Sequence, residues 1–301
     1  MSAGSQLYIE KPRLTRYDDH RLTRSIGLTL LWPVQILLTN DDGIHAPGLA
    51  ALENELRQLG DVTVVAPSQE QSGVSQSITF LRPLVCSPVE RASGCSAWTV
   101  DGTPADCVKI GLFECCPQRP ELIVSGINGG LNAGINVLYS GTVAAAIEGS
   151  TFGIRSIAVS LEQAAQAEFE TAAQLARKII KQLVDQAAEE QRLFNVNIPA
   201  AALDDAATMH DAATIRIVPM SPSRYGDQFI KRQDPKGRDY FWATTDPPPQ
   251  DAGQETDLLA LQQGYVTVTP LRYDMTDHEA LTTAENWNLA LDNGPHSVPD
   301  S

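Results

Sequence analysis

Residues 34–48 read Val-Gln-Ile-Leu-Leu-Thr-Asn-Asp-Asp-Gly-Ile-His-Ala-Pro-Gly, and they constrain the fold more than any other stretch of the chain. Their first half is short, almost wholly apolar and rich in branched side chains, the pattern of a strand buried on both faces of a parallel sheet. The second half cannot extend that strand, because Asp41 and Asp42 would carry two unpaired carboxylates into the core. They belong at the strand's C-terminal lip, where open α/β sheets bind their ligands. A helix cap accounts for part of this turn, since Asn and Asp accept from the first N–H groups of a helix and Pro47 is a good first helical residue. One carboxylate satisfies a cap, so the second points to a metal or phosphate site.

The pattern then repeats. Leu49, Leu52, Leu56 and Leu59 recur at helical spacing, Gly60 supplies a stop, and residues 61–66 (Asp-Val-Thr-Val-Val-Ala) form a second buried strand. This βαβ unit sets the class as α/β, a Rossmann-like, mostly parallel sheet flanked by helices. A right-handed crossover brings the serine-rich loop at residues 68–77 to the same edge as Asp41 and Asp42, which makes Ser72 a candidate oxygen ligand. Residues 78–100 are weakly patterned and read as a small excursion from the sheet. At residues 101–106 (Asp-Gly-Thr-Pro-Ala-Asp), Thr103 reads as the N-cap and Pro104 as the first residue of another helix.

Residues 121–125 form the next buried strand and open into Gly126-Ile-Asn-Gly-Gly-Leu-Asn-Ala-Gly-Ile-Asn136. This is neither the Gly-Lys-Ser/Thr phosphate loop nor the Gly-x-Gly-x-x-Gly dinucleotide turn. Its glycines permit close backbone approach and its asparagines add neutral oxygens. An alanine-rich helix starts after Tyr139-Ser140-Gly141-Thr142, a good seat for an anion, although taken alone an ordinary N-cap explains it equally well. Three successive strand ends with oxygen-rich or glycine-rich loops on one edge favour the functional reading.

Further strands are expected over residues 154–161 and 193–198, with a long helix over 164–191 between them. Beyond residue 200 the spacing predicts a strand at 215–218, a half-exposed hairpin within 225–244 about the turn Asp234-Pro-Lys-Gly237, a short helix at 256–263, a strand at 265–269 and a terminal helix at 277–289. An isolated hairpin is marginal in water, so this C-terminal arm is expected to join subunits. The organisation is thus an N-terminal extension read as disordered (1–33), a catalytic core (34–200), a C-terminal part (201–291) and a tail (292–301).

Net charge narrows the partners. With 37 acidic against 22 basic residues, −15 overall, the chain is a poor match for a nucleic-acid polymer or an anionic membrane. A divalent cation would reverse the field locally and admit a small anionic substrate. Five cysteines without zinc-type spacing indicate thiols in a reducing cytoplasm. The N-terminal segment runs from basic to apolar like a signal peptide, but Pro33 interrupts it and no small-residue cleavage site follows.

The candidate ligands Asp41, Asp42, Ser72 and Asn128 are all oxygen donors, which suits one divalent cation per subunit: magnesium or manganese, with calcium as a non-native occupant. Such an ion polarises a phosphoryl oxygen and acidifies bound water, so phosphate ester hydrolysis follows. Asp41 and Asp42 are the candidate catalytic residues, with Asp41, nearest the strand end, as proton acceptor. The substrate-facing set is Asn40, Gly129, Asn132, Ser140, Gly141 and Thr142.

Five motifs in one order carry a family resemblance. They are Thr-Asn-Asp-Asp-Gly-Ile-His-Ala-Pro-Gly (39–48), Val-Ala-Pro followed by Gln-Ser-Gly-Val-Ser (64–75), Gly-Thr-Pro-Ala-Asp (102–106), Val-Ser-Gly-Ile-Asn-Gly-Gly-Leu-Asn (124–132) and Tyr-Ser-Gly-Thr-Val-Ala-Ala-Ala (139–146). Together they resemble the SurE family of stationary-phase survival proteins, over residues 34 to about 290. The resemblance implies a metal-dependent phosphatase acting on nucleoside 5′- and 3′-monophosphates, with short polyphosphate as a further candidate. It also implies a Rossmann-like core and a homodimer or homotetramer that exchanges C-terminal elements. The family's metal set falls on Asp41, Asp42, Ser72 and Asn128, and its phosphate segment on Asn132 and Ser140 to Thr142. The extension before Val34 and the loop at residues 132–136 depart from the family pattern. The alternatives are a nucleotide-binding regulatory protein without turnover, a glycosyltransferase, and a haloacid-dehalogenase-type phosphatase, whose two aspartates are separated by one residue, unlike Asp41-Asp42.

Overall fold

Strand β1 (Val34–Thr39) divides its side chains between two cores: Val34, Ile36 and Leu38 join one and Leu37 the other. That alternation is what a strand covered on both faces requires. In the computed structural model, which describes residues 33–162, 168–204, 215–223, 228–243, 255–284 and 287, β1 lies within a nine-stranded sheet. The extension expected to be disordered at 1–33 and the tail expected at 292–301 fall, Pro33 excepted, outside the described residues.

The elements follow in order: α1 (Pro47–Leu56), β2 (Gly60–Pro67), β3 (Cys86–Pro88), β4 (Ser96–Val100) and α2 (Pro104–Ile110), which widens into a π-turn at Gly111–Cys115. Next come β5 (Leu122–Gly129), a tight turn at Gly134–Leu138, α3 (Gly141–Thr151), β6 (Arg155–Leu161), α4 (Phe169–Gln186) and β7 (Leu193–Ile198). The remainder comprises α5 (Ala201–Asp204), β8 (Ile215–Ile217), β9 (Phe229–Gln233), β10 (Asp239–Ala243), α6 (Asp257–Gln262), β11 (Val266–Pro270) and α7 (His278–Ala284). Sheet order is β3-β4-β2-β1-β5-β6-β7-β11-β8, with β9 and β10 paired separately as an antiparallel hairpin. The neighbours from β4 to β7 are all parallel, while β3 and β11 run antiparallel to β4 and β7.

Helices cover both faces. α1 and α4 bury Leu49, Leu52, Leu56, Leu175, Ile179 and Ile180 in one core, and α2 and α3 contribute Cys107, Val108 and Ala145 to the other. α1 starts on Pro47, whose missing N–H costs nothing at a first turn. α2 carries the expected capping box: Thr103 Oγ1 accepts from Asp106 N–H, and Asp106 Oδ2 accepts from Thr103 N–H.

Residues 78–100 depart from the expected excursion. β4 pairs in parallel with β2 from Thr63↔Ser96 to Pro67↔Val100 and extends the sheet, with β3 as its edge. Pairing with the neighbour overrides a weak local pattern. Every residue of the hairpin strands is exposed, where one half-buried face was expected. β5 runs past the expected end at Ser125 and on to Gly129, through an irregularity in its register with β6 between Ser125 and Asn128. The Gly126–Ile127 peptide there is cis, and Gly126, at φ +143°, would set a Cβ 2.4 Å from the Val159 carbonyl oxygen.

By compactness, residues 1–271 form one unit and residues 272–301 a second that contains α7. Among the described residues, no helix is long and apolar enough to cross a membrane.

Candidate active site

The chain builds outward from β1 in both directions: β2 and β4 lie on one side, β5, β6 and β7 on the other. The order reverses between β1 and β5, and a crevice opens beyond the carboxyl ends of strands at such a switch point. Thr39 pairs with Ser125 at this edge, so Asp41 and Asp42 from the β1 loop face Asn128 and Gly129 from β5.

The β1 loop is held from within. Asn40 is fully buried; its Nδ2 donates to the Gly43 carbonyl at 3.0 Å and its Oδ1 accepts from Gly43 N–H at 3.2 Å. Asn40 therefore shapes the turn that presents the two acids. The facing loop is tied to the same turn, since Gln71 N–H donates to the Asp41 carbonyl at 2.7 Å.

Asp41 is only 4% exposed. Thr142 Oγ1 donates to its Oδ1 at 2.6 Å, and Gly141 packs so closely that a Cβ there would lie 2.8 Å from Asp41 Cβ and 2.9 Å from Oδ2. Only glycine lets the α3 N-terminus approach this carboxylate. Burial pushes the Asp41 carboxyl up to about 6 against the lowering effect of Thr142, and the Asp42 charge adds to the rise. Burial also raises Asp42; the Gly129 N–H, 3.4 Å from its Oδ2, opposes this and nearby Glu70 adds to it.

Two desolvated carboxylates side by side, met by the Thr142 hydroxyl, the backbone N–H groups of Asp41 and Thr142 and the more distant Gly129 N–H, keep raised pKa values and form a negative site that a cation would neutralise. The neutral candidates are arranged to complement them. Ser72 Oγ donates its hydrogen to Glu70 Oε1 at 2.6 Å, which leaves its lone pairs free to accept. Asn128 Nδ2 donates to the Gly130 carbonyl at 2.6 Å, leaving Oδ1 as its acceptor. Among the described residues, no three His, Cys, Asp or Glu side chains converge on a metal position. An ion here would rest on two carboxylates supplemented by neutral oxygens, a hard-cation donor set. The residues fit such an ion.

The candidate anion seat draws on the start of α3 and on Asn132 from the loop after β5, backed by β6 and β7. Ser140 caps α3, its Oγ accepting from Val143 N–H at 3.1 Å, so this hydroxyl serves the helix itself. The helix dipole remains for an anion, while Val143 N–H is taken by the cap and Thr142 N–H by the Asp41 carboxylate. Asn132 is buried behind them: its Nδ2 donates to Ser160 Oγ at 2.9 Å and to Thr142 Oγ1 at 3.4 Å. Its carbonyl accepts from Asn195 Nδ2 at 2.7 Å and Asn197 Nδ2 at 3.1 Å, while its N–H donates to Asn197 Oδ1 at 2.8 Å. Hydrogen bonds thus run from β7 through Asn132 and Thr142 to Asp41.

Direct contact joins Asp41, Thr142 and Asn132, and separately Asp42 and Gly129; Gly141 abuts Asp41. Ser72 and Asn128 are brought in by their neighbours Gln71 and Gly129, with their own hydrogens spent on Glu70 and Gly130. Sequence reasoning missed Glu70, Asn195 and Asn197. The signal for the asparagines was present: two amides alternating in an otherwise apolar strand, Leu-Phe-Asn-Val-Asn-Ile. A further clamp also went unread. Asp257 of α6 accepts from Gly134 N–H on Oδ2 and Ser221 N–H on Oδ1, both at 2.8 Å, and so fixes the glycine-rich loop.

The chain is similar to known proteins. The family model described as "Survival protein SurE" matches residues 36–227. A protein named 5′-nucleotidase SurE from Rhodopirellula baltica is 51% identical over 257 residues, 85% of this chain and 99% of that one. A protein of the same name from Vibrio vulnificus is 41% identical over 256 residues, covering 85% and 96% respectively. The crystal structure of the SurE protein from Aquifex aeolicus aligns at a TM-score of 0.72 with 35% identity, covering 83% of this chain and 98% of that chain.

Proposed function

Because the chain belongs to the SurE survival-protein family, we propose that it is a metal-dependent phosphomonoesterase that releases phosphate from nucleoside 5′- and 3′-monophosphates. Relatives named as 5′-nucleotidases support the substrate class. The observation that carries the reading is the pair of desolvated carboxylates, Asp41 and Asp42, set against the α3 N-terminus at the sheet's switch point.

Asp41, Asp42, Ser72 and Asn128 would hold one magnesium or manganese ion. When bound, the ion supplies charge to polarise a phosphoryl oxygen and to lower the pKa of water. The chain's residues do the rest. The positive end of the α3 dipole draws the phosphate to the start of the helix, where Gly141 and Thr142 lie nearest the acids. Thr142 fixes the Asp41 carboxylate through Oδ1, and Asn132 in turn fixes Thr142, so the acid is held before substrate arrives. Asp41 accepts the proton of the attacking water, and Asn40 keeps the loop turned toward the crevice.

We read the hairpin of β9 and β10 as the arm that joins subunits into a dimer or tetramer. Its exposed Phe229, Phe241 and Trp242 support that role. The reduced cysteines agree with a cytoplasmic enzyme. The test is phosphate release from adenosine 5′-monophosphate with manganese, with and without a chelator. Turnover that the chelator abolishes and Asp42→Asn lacks is expected; metal binding without phosphate release in the parent would leave the regulatory reading.

A further inference from the structure

The segment before α3 carries two side chains that phosphate binding leaves unused. Leu138 and Tyr139 are 48% and 57% exposed, although both are large and apolar and they directly precede the capping Ser140. Their backbone is fixed. Ser75 Oγ donates to the Leu138 carbonyl at 2.7 Å and Ser75 N–H donates to the Tyr139 carbonyl at 3.0 Å. Tyr139 N–H donates to the Asn136 carbonyl at 3.0 Å.

Ser75 makes both bonds from a left-handed backbone, φ +55°, the one such non-glycine residue among the described residues. A conformation of that kind persists where the surroundings over-determine it, and such positions cluster at ligand clamps. The same loop bonds Asp41 through Gln71, and Gly141, two residues after Tyr139, abuts Asp41 from the other side. Tyr139 is therefore tied to the acid pair along two backbone routes.

A rigid aromatic face exposed next to a phosphate seat suits a flat group carried on the same phosphate ester. We propose that Tyr139, with Leu138 as its apolar neighbour, is the surface on which the base of a nucleoside monophosphate stacks, and so the residue that separates nucleotides from plain sugar phosphates. This rests on the nucleotidase reading above. Every base presents a π-face, so the platform selects for the presence of a base and not for its identity. The clamp from Ser75 uses the main-chain carbonyls, so replacing the side chains leaves it in place.

Tyr139→Ala, Tyr139→Phe and Leu138→Ala are compared with the parent in manganese-supported hydrolysis of adenosine 5′-monophosphate and of ribose 5-phosphate, which lacks a base. Adenosine binding to the protein without added metal is measured by calorimetry. Loss of base stacking raises the KM for adenosine 5′-monophosphate about 5- to 150-fold in Tyr139→Ala. It weakens adenosine binding in proportion, leaves ribose 5-phosphate within about twofold of the parent, and is largely rescued in Tyr139→Phe. Leu138→Ala shows a smaller change in the same direction. Equal loss on both substrates, or no change on the nucleotide, overturns the platform while the nucleotidase reading stands. A parent that hydrolyses neither ester overturns that reading and the platform with it.

Discussion

Gly48→Ala tests how the two halves of the site are held together. Gly48 lies in the first turn of α1, where a Cβ would stand 2.1 Å from the Ile127 carbonyl oxygen, 3.1 Å from its carbon and 3.0 Å from Phe169 Cε1. Its backbone is not left-handed, and alanine gains up to about 1 kcal/mol over glycine in a helix, so propensity alone predicts a more stable protein. The contact predicts the reverse. Cβ atoms essentially never approach backbone below 3.0 Å, so α1 and β5 must separate by about 0.9 Å, the difference between 3.0 and 2.1. Leu49, Leu52 and Leu56 lock α1 into the core, and the shift falls on Ile127 and the adjoining Asn128. Overpacking of this kind costs about 1–3 kcal/mol, and moving the proposed ligand Asn128 is expected to weaken a magnesium site by about tenfold or more. Urea unfolding with the m-value checked, and metal titration followed by activity, give the two readouts. Gly129→Ala is the stability control, because its Cβ would meet nothing closer than Phe169 Cζ at 3.8 Å. If Gly48→Ala equals or exceeds the parent in stability and binds metal as well, the close approach of helix and strand is wrong.

Two further outcomes follow from the acid pair and the arm. In the metal-free protein, the Asp41 carboxyl rises from 3.8 to about 6, chiefly through burial. A group that holds its proton more tightly when folded stabilises the protein fully below pH 3.8, and that stability is lost as pH rises through about 6. The interval corresponds to about 3 kcal/mol. Urea unfolding in chelator between pH 4 and 7.5 should show the parent losing most of that stability relative to Asp41→Asn, with manganese restoring it at pH 7; parallel profiles would exclude the effect. For the hairpin, Phe241→Asp with Trp242→Asp removes two exposed aromatics from β10 and should weaken subunit association by about two orders of magnitude. Sedimentation equilibrium reads the change, and an unaltered mass would show that the arm joins nothing.

Much of this was legible locally. Buried strands announce themselves by continuous branched apolar residues, as in β1, β2 and β7, and the Asp234-Pro-Lys-Gly237 turn marked the hairpin because Asp234 Oδ1 accepts from Lys236 N–H and Arg238 N–H while Gly237 takes φ +79°. Asp41 and Asp42 stood out because their chemistry conflicts with the strand that leads to them. What stayed hidden depends on partners remote in sequence. β4 is a strand because β2 accepts it, and β5 reaches Asn128 because Gly126 fits against Val159 of β6. Asn195 and Asn197 looked like part of a strand, and only the fold reveals that their amides grip Asn132.

The bond from Gly134 to Asp257 spans 123 positions of chain. Contacts that close so long a loop must overcome its entropy and form late. A polypeptide still emerging from a ribosome, synthesised only as far as β7, would own its acidic pair but not the α6 carboxylate that fastens the loop bearing Asn132. Only the last third of the chain supplies the clamp on that loop, and an unfinished copy lacks it.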